Sequence, residues 1–356
     1  MKQVNKLDFT GQQIYVGMDV HKKRWSISIY TDRFEHKTFS QPPETGVLVN
    51  YLKRKFPGAS YKTAYEAGFC GFWIHDQLRE QGVDCLVVNP ADVPTKDKER
   101  ATKTDPVDCR KLARTLRSGE LDGIYVPSRV KAEDRSLLRT RQSMVKKQTR
   151  CKNQIRSILC FYGIHIPDDL ASSHWSKRFI NWIESIRMER ASGDMALKAH
   201  LAELLHHRTT IAELNRAVRA LAKTDDYRVN VALLRTVPGV STLTAMLLLT
   251  ELYDMSRFKS LDTLCSYVGL IPNTDSSGEK DNKTGMTNRR NAQLRAAIIE
   301  SAWTAVRKDP ALIMAFNELC KHMTKTKAII RIAKKLLNRV RYVLKNQQAY
   351  VPAVIQ

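Results

Sequence analysis

The chain has no Cys-x-x-Cys pair, and its seven cysteines are scattered, so neither a zinc ribbon nor a disulfide framework is indicated. They read as reduced thiols of a cytoplasmic protein. The opening stretch, MKQVNKLDFTGQQ, lacks an apolar signal core, and no run reaches the roughly 18 to 20 apolar residues of a membrane span. Acids are scarce as well. Against 59 Lys and Arg stand 36 Asp and Glu, a formal charge of +23 on 356 residues. That much charge of one sign repels itself unless a polyanion offsets it, which makes nucleic acid the default partner and an anionic membrane the weaker rival. The hydrophobic fraction, 43%, is ordinary for a globular protein, and the length allows two domains or one domain with a large helical extension.

What is present falls into three blocks. Within residues 14–30, IYVGMDV and WSISIY read as two strands around a short polar turn, the second alternating with period two. GVLVNYLKRKF follows as an amphipathic helix, YKTAYEAG as a strand ending at Glu66, FWIHDQLREQG as a helix and VDCLVVNP as a buried strand. The order β-β-α-β-α-β then runs into a helix beginning near Asp105, which predicts an α/β layer. From about Ser128 the strand signals stop. The stretch from Ser128 to Leu159 is a helical pattern with ten Lys or Arg against two acids, and residues 195–223 carry Leu197, Leu201, Leu204, Leu205, Ile211, Leu214, Val218 and Leu221 at spacings suited to a coiled-coil hairpin or a bundle. The third block starts at Val231, where VPGVSTLTA between two apolar helices has the look of a helix-hairpin-helix. There Gly239 permits a tight turn and Ser241 contacts phosphate at most. It closes with residues 321–345, nine Lys or Arg and no acid at amphipathic helical spacing.

Four acids stand out by position. Asp19 lies within an apolar strand, where a carboxylate is costly unless paired or bound to a cation. Glu66 ends a strand. Asp105 and Asp108 sit in DPVD at a helix start, where Asp105 as N-cap, Pro106 at the first helical position and Asp108 at N3 would serve capping alone. A strand Asp, a strand-end Glu and a later helical Asp-x-x-Asp is also the order of RNase H-like nucleases of the Holliday-junction-resolvase type. Carboxylates converging from several elements can hold two Mg²⁺ ions for phosphoryl transfer. The fold expected is therefore α/β plus all-α: an RNase H-like domain over 1–126, a basic helical or coiled-coil region over 127–230, and a C-terminal helical domain over 231–356.

The segments GMDVHKK, AYEAGFCGFWIHDQL, LVVNPADVPT and KTDPVDCRKLARTLRSGEL, and further on LRTVPGVSTLTAMLLLTEL and RFKSLDTLCSYVGLIPNTDSSGEK, resemble the DEDD-type transposases of bacterial insertion sequences, a family of bridge-RNA-guided recombinases. The resemblance covers roughly residues 14–125 and 231–305; the middle matches only in character. It implies that Asp19, Glu66, Asp105 and Asp108 hold Mg²⁺ and that Ser277, the serine immediately before Gly278, attacks a DNA phosphate to form a phosphoserine. It also implies a structured guide RNA that pairs with donor and target double-stranded DNA, and a homo-oligomer of two to four subunits in a nucleoid-associated bacterial protein. Arg139, Lys146, Lys147, Arg150, Gly239, Ser241, Arg289 and Arg290 are the expected nucleic-acid contacts. One departure is visible. After TGMT the family usually has a glycine where this chain has Arg290, within NRRNAQLR. From the residues alone, Ser276 and Ser277 are not distinguished, and two other readings use the same features. One is a nuclease that hydrolyses with water, the other a nucleic-acid-binding protein without catalysis.

Overall fold

The computed structural model describes residues 8–95, 104–171, 175–277 and 280–352, with the side chains of 171 and 274–284 outside that description. By its internal contacts the chain divides into Met1–Pro127 and Ser128–Gln356, an N-terminal sheet unit and a helical unit.

The N-terminal unit is a five-stranded sheet in the order β3-β2-β1-β4-β5. Its strands are β1 (Gln13–Val20), β2 (Trp25–Tyr30), β3 (Glu35–Gln41), β4 (Ser60–Glu66) and β5 (Asp84–Val88). The first three form an antiparallel meander, while β4 and β5 run parallel to β1. β3 is absent from the sequence-based order. Its segment EHKTFSQ is largely exposed at the sheet edge and carries no clear apolar alternation, so periodicity could not mark it.

Alternation in β1 separates the two faces. Ile14, Val16 and Met18 are fully buried in one core with Ile27, Ile29 and Tyr65, covered by α1 (Thr45–Lys55) and α2 (Trp73–Glu80) through Leu48, Leu52, Ile74 and Leu78. Tyr15, Ala64, Leu86 and Val88 belong to the opposite face, against Leu112 and Leu116 of α3 (Asp105–Ser118). Gly17 is on that second face. A Cβ built there would lie 2.0 Å from the Cys109 carbonyl oxygen and 2.4 Å from the Ala113 nitrogen. Both are backbone atoms, so α3 reaches the sheet only because position 17 has no side chain.

The helical unit is organised by two long helices, α4 (Arg129–Phe161) and α6 (Ala191–Leu221), with α5 (Lys177–Ser185) between them in sequence. They run antiparallel, since Leu138 shares a core with Val218 while Cys151, Ile155 and Leu159 share another with Leu197, Leu201 and Leu204. The larger core gathers the remaining helices, α7 (Arg228–Arg235), α8 (Thr242–Leu252), α9 (Leu261–Val268), α10 (Ala292–Ala305), α11 (Pro310–His322) and α12 (Lys325–Asn346). α12 is the basic amphipathic helix of the sequence, and it buries Ile329, Ile332, Leu336, Leu337, Val340 and Val343. Two of its cations turn inward or sideways: Arg339 Nη1 meets the buried Asp309 at 2.6 Å and Lys334 Nζ meets Asp262 at 2.9 Å. A two-stranded hairpin, β6 (Pro272–Ser277) and β7 (Lys280–Met286), interrupts the helices between α9 and α10.

Substituting Gly17→Ala is expected to destabilise the N-terminal unit by about 3 kcal/mol or more, because the clash is with backbone that no rotamer change relieves. Denaturant unfolding followed by far-ultraviolet circular dichroism checks this; an unchanged midpoint would show that α3 has room to withdraw.

Candidate active site

Register brings the first two acids side by side. β1 and β4 are parallel with Gly17 opposite Ala64 and Met18 opposite Tyr65. Asp19 and Glu66 are therefore the next residues on the α3 face, at the carboxyl ends of neighbouring strands. α3 delivers the other two: its first turn carries Asp105 and Asp108, and it crosses β1 at Gly17 with that turn toward Asp19. The capping assignment shifts by one residue. Thr104 is the N-cap, with its carbonyl accepting from Asp108 N–H at 3.0 Å, and Asp105 is the first helical residue. Both carboxylates remain at the positive end of the helix, which favours them.

The acids burden one another. Burial first, then the charges of Asp105 and Asp108, push the Asp19 carboxyl above its ordinary range, while His21 opposes the shift. His21 Nε2 lies 3.3 Å from Asp19 Oδ2 and 3.8 Å from Asp105 Oδ1. Asp19, His21 and Asp105 each place a ligand atom within 4.8 Å of the others. On the other side, the nearly buried Lys111 sets Nζ 3.3 Å from Asp108 Oδ1 and 3.8 Å from Glu66 Oε1. One imidazole and one ammonium thus stand between four carboxylates. This donor set of half-exposed oxygens fits a hard divalent cation, since such ions take carboxylate ligands and keep several waters. Sequence reasoning missed His21 and Lys111. Their signals were spacing: His21 is two residues beyond Asp19, and Lys111 is three beyond Asp108 on the same helical face.

Residues 16–164 match the DEDD transposase family of IS110 elements, and residues 231–317 match the family described as Transposase IS116/IS110/IS902. The chain belongs to the IS110 family of DEDD transposases. It is similar to the transposase-named protein y4qE of Sinorhizobium fredii, 28% identical over 303 residues that cover 82% of this chain and 72% of that protein. It is likewise similar to the transposase for insertion sequence element IS1533 of Leptospira borgpetersenii, 24% identical over 92% of this chain and 96% of the relative. The transposase for IS1111A of Coxiella burnetii is 24% identical over 76% and 73%. The protein is an enzyme that acts on DNA. Among the described residues no helix is long and apolar enough to cross a membrane.

In the transposase's helical unit the other expected site residues have distinct surroundings. The backbone of Ser277 ends β6, opposite Lys280; its side chain and that of Ser276 lie outside the described residues, as does Gly278. The base of this hairpin is held firmly. Thr287 N–H donates to the Ile271 carbonyl at 3.1 Å, and Arg295 Nη1 donates to the carbonyls of Gly269 (3.2 Å) and Thr287 (3.1 Å). Arg290, at the position where the family has glycine, packs against a glycine instead: a Cβ on Gly269 would come within 2.3 Å of Arg290 Cβ. Arg289 and Arg290 are both exposed. Gly239 has φ +87°, and a Cβ there would meet the Ser301 carbonyl oxygen at 2.2 Å, so packing on α10 already requires glycine. Ser241 is the N-cap of α8, its Oγ accepting from Thr244 N–H at 3.1 Å.

Arg139 differs from the other cations of α4. Its Nε and Nη2 donate to the two carboxylate oxygens of Glu251 at 2.7 and 2.9 Å, and Asn291 Nδ2 donates to the same carboxylate at 2.8 Å. Glu251 is fully buried in the apolar helix α8, and a buried carboxylate needs such partners. Arg139 itself is half exposed, and Lys146, Lys147 and Arg150 are exposed along the same helix.

Two outcomes are expected. Arg139→Ala lowers stability by roughly 1–3 kcal/mol, the cost of leaving a buried acceptor short of a partner, with the half-exposed Arg139 site open to water and Asn291 still serving Glu251; calorimetry measures it. Replacing Lys146, Lys147 and Arg150 together by Ala leaves the melting temperature in place and flattens the slope of log affinity for DNA against log salt by up to about 3. A salt titration that keeps its full slope would remove this face of α4 from the interface.

Asp19→Asn tests the acidic cluster without DNA. Because the folded-state pKa of Asp19 is raised, its ionised form costs stability as pH rises through its range, and the amide removes that cost. At neutral pH the variant is expected to be at least as stable as the parent without metal, yet to lose most of the melting-temperature gain produced by Mg²⁺ or Mn²⁺. An undiminished gain would place the cation elsewhere.

Proposed function

We propose that the transposase cuts and rejoins double-stranded DNA with Ser277 as nucleophile and with Asp19, Glu66, Asp105 and Asp108 holding Mg²⁺, directed by an RNA that its element encodes. The observation that carries this reading is the convergence of the four acids at one end of the sheet, from β1, β4 and the first turn of α3. The strand order 3-2-1-4-5, with an antiparallel meander beside two parallel strands, supports assigning the sheet unit to the RNase H-like folds. Bound there, Mg²⁺ supplies Lewis-acid stabilisation of the charge developing on the phosphate oxygens.

The chain's own residues do the rest. The Ser277 hydroxyl gives up its proton and Oγ bonds to the phosphorus of one strand; the P–O bond to a deoxyribose oxygen breaks, and that oxygen takes a proton. The strand is then held as a phosphoserine ester until a hydroxyl of the joining strand attacks and restores the serine. Each exchange conserves the number of phosphoester bonds, so no external energy source is needed. The base of the β6–β7 hairpin, whose first strand ends at Ser277, is anchored to α10 through Arg295. Exposed cations on α4, with Arg289 and Arg290, offer phosphate contacts to DNA and to RNA, in keeping with the charge of +23. The long α4–α6 pair forms a helical limb between the sheet unit and the C-terminal helices in sequence, and assembly into a dimer to tetramer is part of the same proposal.

Ser277→Ala is expected to retain fold and binding to DNA and RNA while losing covalent adduct and strand transfer, a rate decrease of at least 10³-fold of the order seen when a nucleophile or its activator is removed. Ser276→Ala is expected to be mild. Capture of the adduct on a nicked substrate, followed by peptide mapping, should find the DNA on TDSSGEK. Cleavage that persists in Ser277→Ala and needs only water would instead establish hydrolysis by the same four acids.

A further inference from the structure

A second cluster of ligand atoms lies within the helical unit. Cys151 on α4 and Glu203 and His207 on α6 each place one ligand atom within 4.8 Å of the other two. Glu203 and His207 are four residues apart, hence on one face of α6, and Cys151 faces them across the helix pair. Cys151 is 1% exposed and His207 6%. Both ring nitrogens of His207 are buried without a hydrogen-bond partner. Nε2 is 3.4 Å from Glu203 Oε1, but not in hydrogen-bonding geometry. A buried imidazole whose ring nitrogens make no hydrogen bond, with a carboxylate only at 3.4 Å from one of them, is costly, and in native proteins such a group ordinarily meets water or an ion.

We propose that Cys151, Glu203 and His207 form a binding site for a borderline-soft divalent transition metal of the zinc class, which staples α4 to α6. Thiolate, imidazole and carboxylate are the three ligand types that Zn²⁺ takes, and three protein ligands leave a fourth position for water on the exposed Glu203 side. Tetrahedral bonds of about 2.0–2.3 Å place ligand atoms about 3.3–3.8 Å apart, a contraction from the present spacing within reach of side-chain rotation. On binding, the Cys151 thiol releases its proton to solvent, and thiolate and carboxylate together neutralise the two positive charges. That neutrality matters on a chain of +23, where an uncompensated cation would be repelled. Mg²⁺, which prefers oxygen ligands, is not the ion such a donor set selects.

The site is also chemically separate from the four acids of the sheet unit, which contain no sulfur. Cobalt(II) therefore reports on it selectively through a sulfur-to-cobalt charge-transfer band in the near ultraviolet. Full-length protein titrated with Co²⁺ under reducing conditions is expected to develop this band at one equivalent, to lose it on addition of Zn²⁺, and to keep it in excess Mg²⁺. Cys151→Ser should abolish the band. Glu203→Gln, at a half-exposed position that should not disturb folding, and His207→Gln should each weaken Zn²⁺ binding at least about tenfold. Zn²⁺ should raise the melting temperature of the parent and not of Cys151→Ser. A folded parent protein that gives no band in excess Co²⁺, or a band that survives Cys151→Ser, would overturn the site.

Discussion

The approach of α3 to β1 at Gly17 is the contact on which the acidic site depends. A helix packed on a sheet normally stands off by the thickness of the side chains between them. Here Gly17 and Ala64, adjacent across the parallel pair, leave almost nothing on the sheet side, and the Cys109 carbonyl and Ala113 nitrogen descend to within a Cβ's reach of the strand. That depth, and the direction in which α3 crosses the strand, carry its first turn to the strand ends. Asp105 and Asp108 then meet Asp19 and Glu66, which the parallel register had already placed together. A helix held farther away would leave two carboxylates on the sheet and two on the helix, each solvated and each ordinary.

Once assembled, the cluster is electrostatically unbalanced in a way that suits its chemistry. Four carboxylates meet one half-exposed imidazole and one buried ammonium. Lys111 offsets the Glu66–Asp108 side and His21 the Asp19–Asp105 side, yet burial, and after it the charges of Asp105 and Asp108, still raise the Asp19 carboxyl above its usual range. In the proposed site a divalent ion would take over the part that Lys111 and His21 play among the carboxylates. The helix terminus contributes in the same sense, stabilising the negative charge of Asp105, Asp108 and an approaching phosphate.

The helical unit uses its basic residues in two ways. Arg139 and Arg339 serve fully buried acids, Glu251 and Asp309, and so belong to the framework. Glu251 further ties α4 to the N-cap of α10 through Asn291, next to the base of the β6–β7 hairpin. Lys146, Lys147 and Arg150 stay exposed, with their charge turned to solvent. Formal charge alone therefore overstates the positive surface, because part of it is paired with buried acids.

Much of this was legible in the sequence for local reasons. Apolar, β-branched character announced β1 and alternation β2, apolar runs ended at Glu66 and Pro90, helical spacing marked α4, α6 and α12, and the positions of Asp19, Glu66 and DPVD suggested a common site because isolated acids in such places are costly. Motif order carried the family. The tertiary structure decided what depends on partners distant in the chain: that β3 pairs at the edge although its own pattern is polar, that Thr104 rather than Asp105 takes the cap, that Lys111 lies between Glu66 and Asp108, and that Arg139 is committed to an acid 112 residues away. It also brought Cys151 to Glu203 and His207, although the spacing of cysteines along the chain pointed away from a zinc ribbon. Periodicity reports which face of an element is apolar. Which charge stands opposite which is settled only when the elements pack.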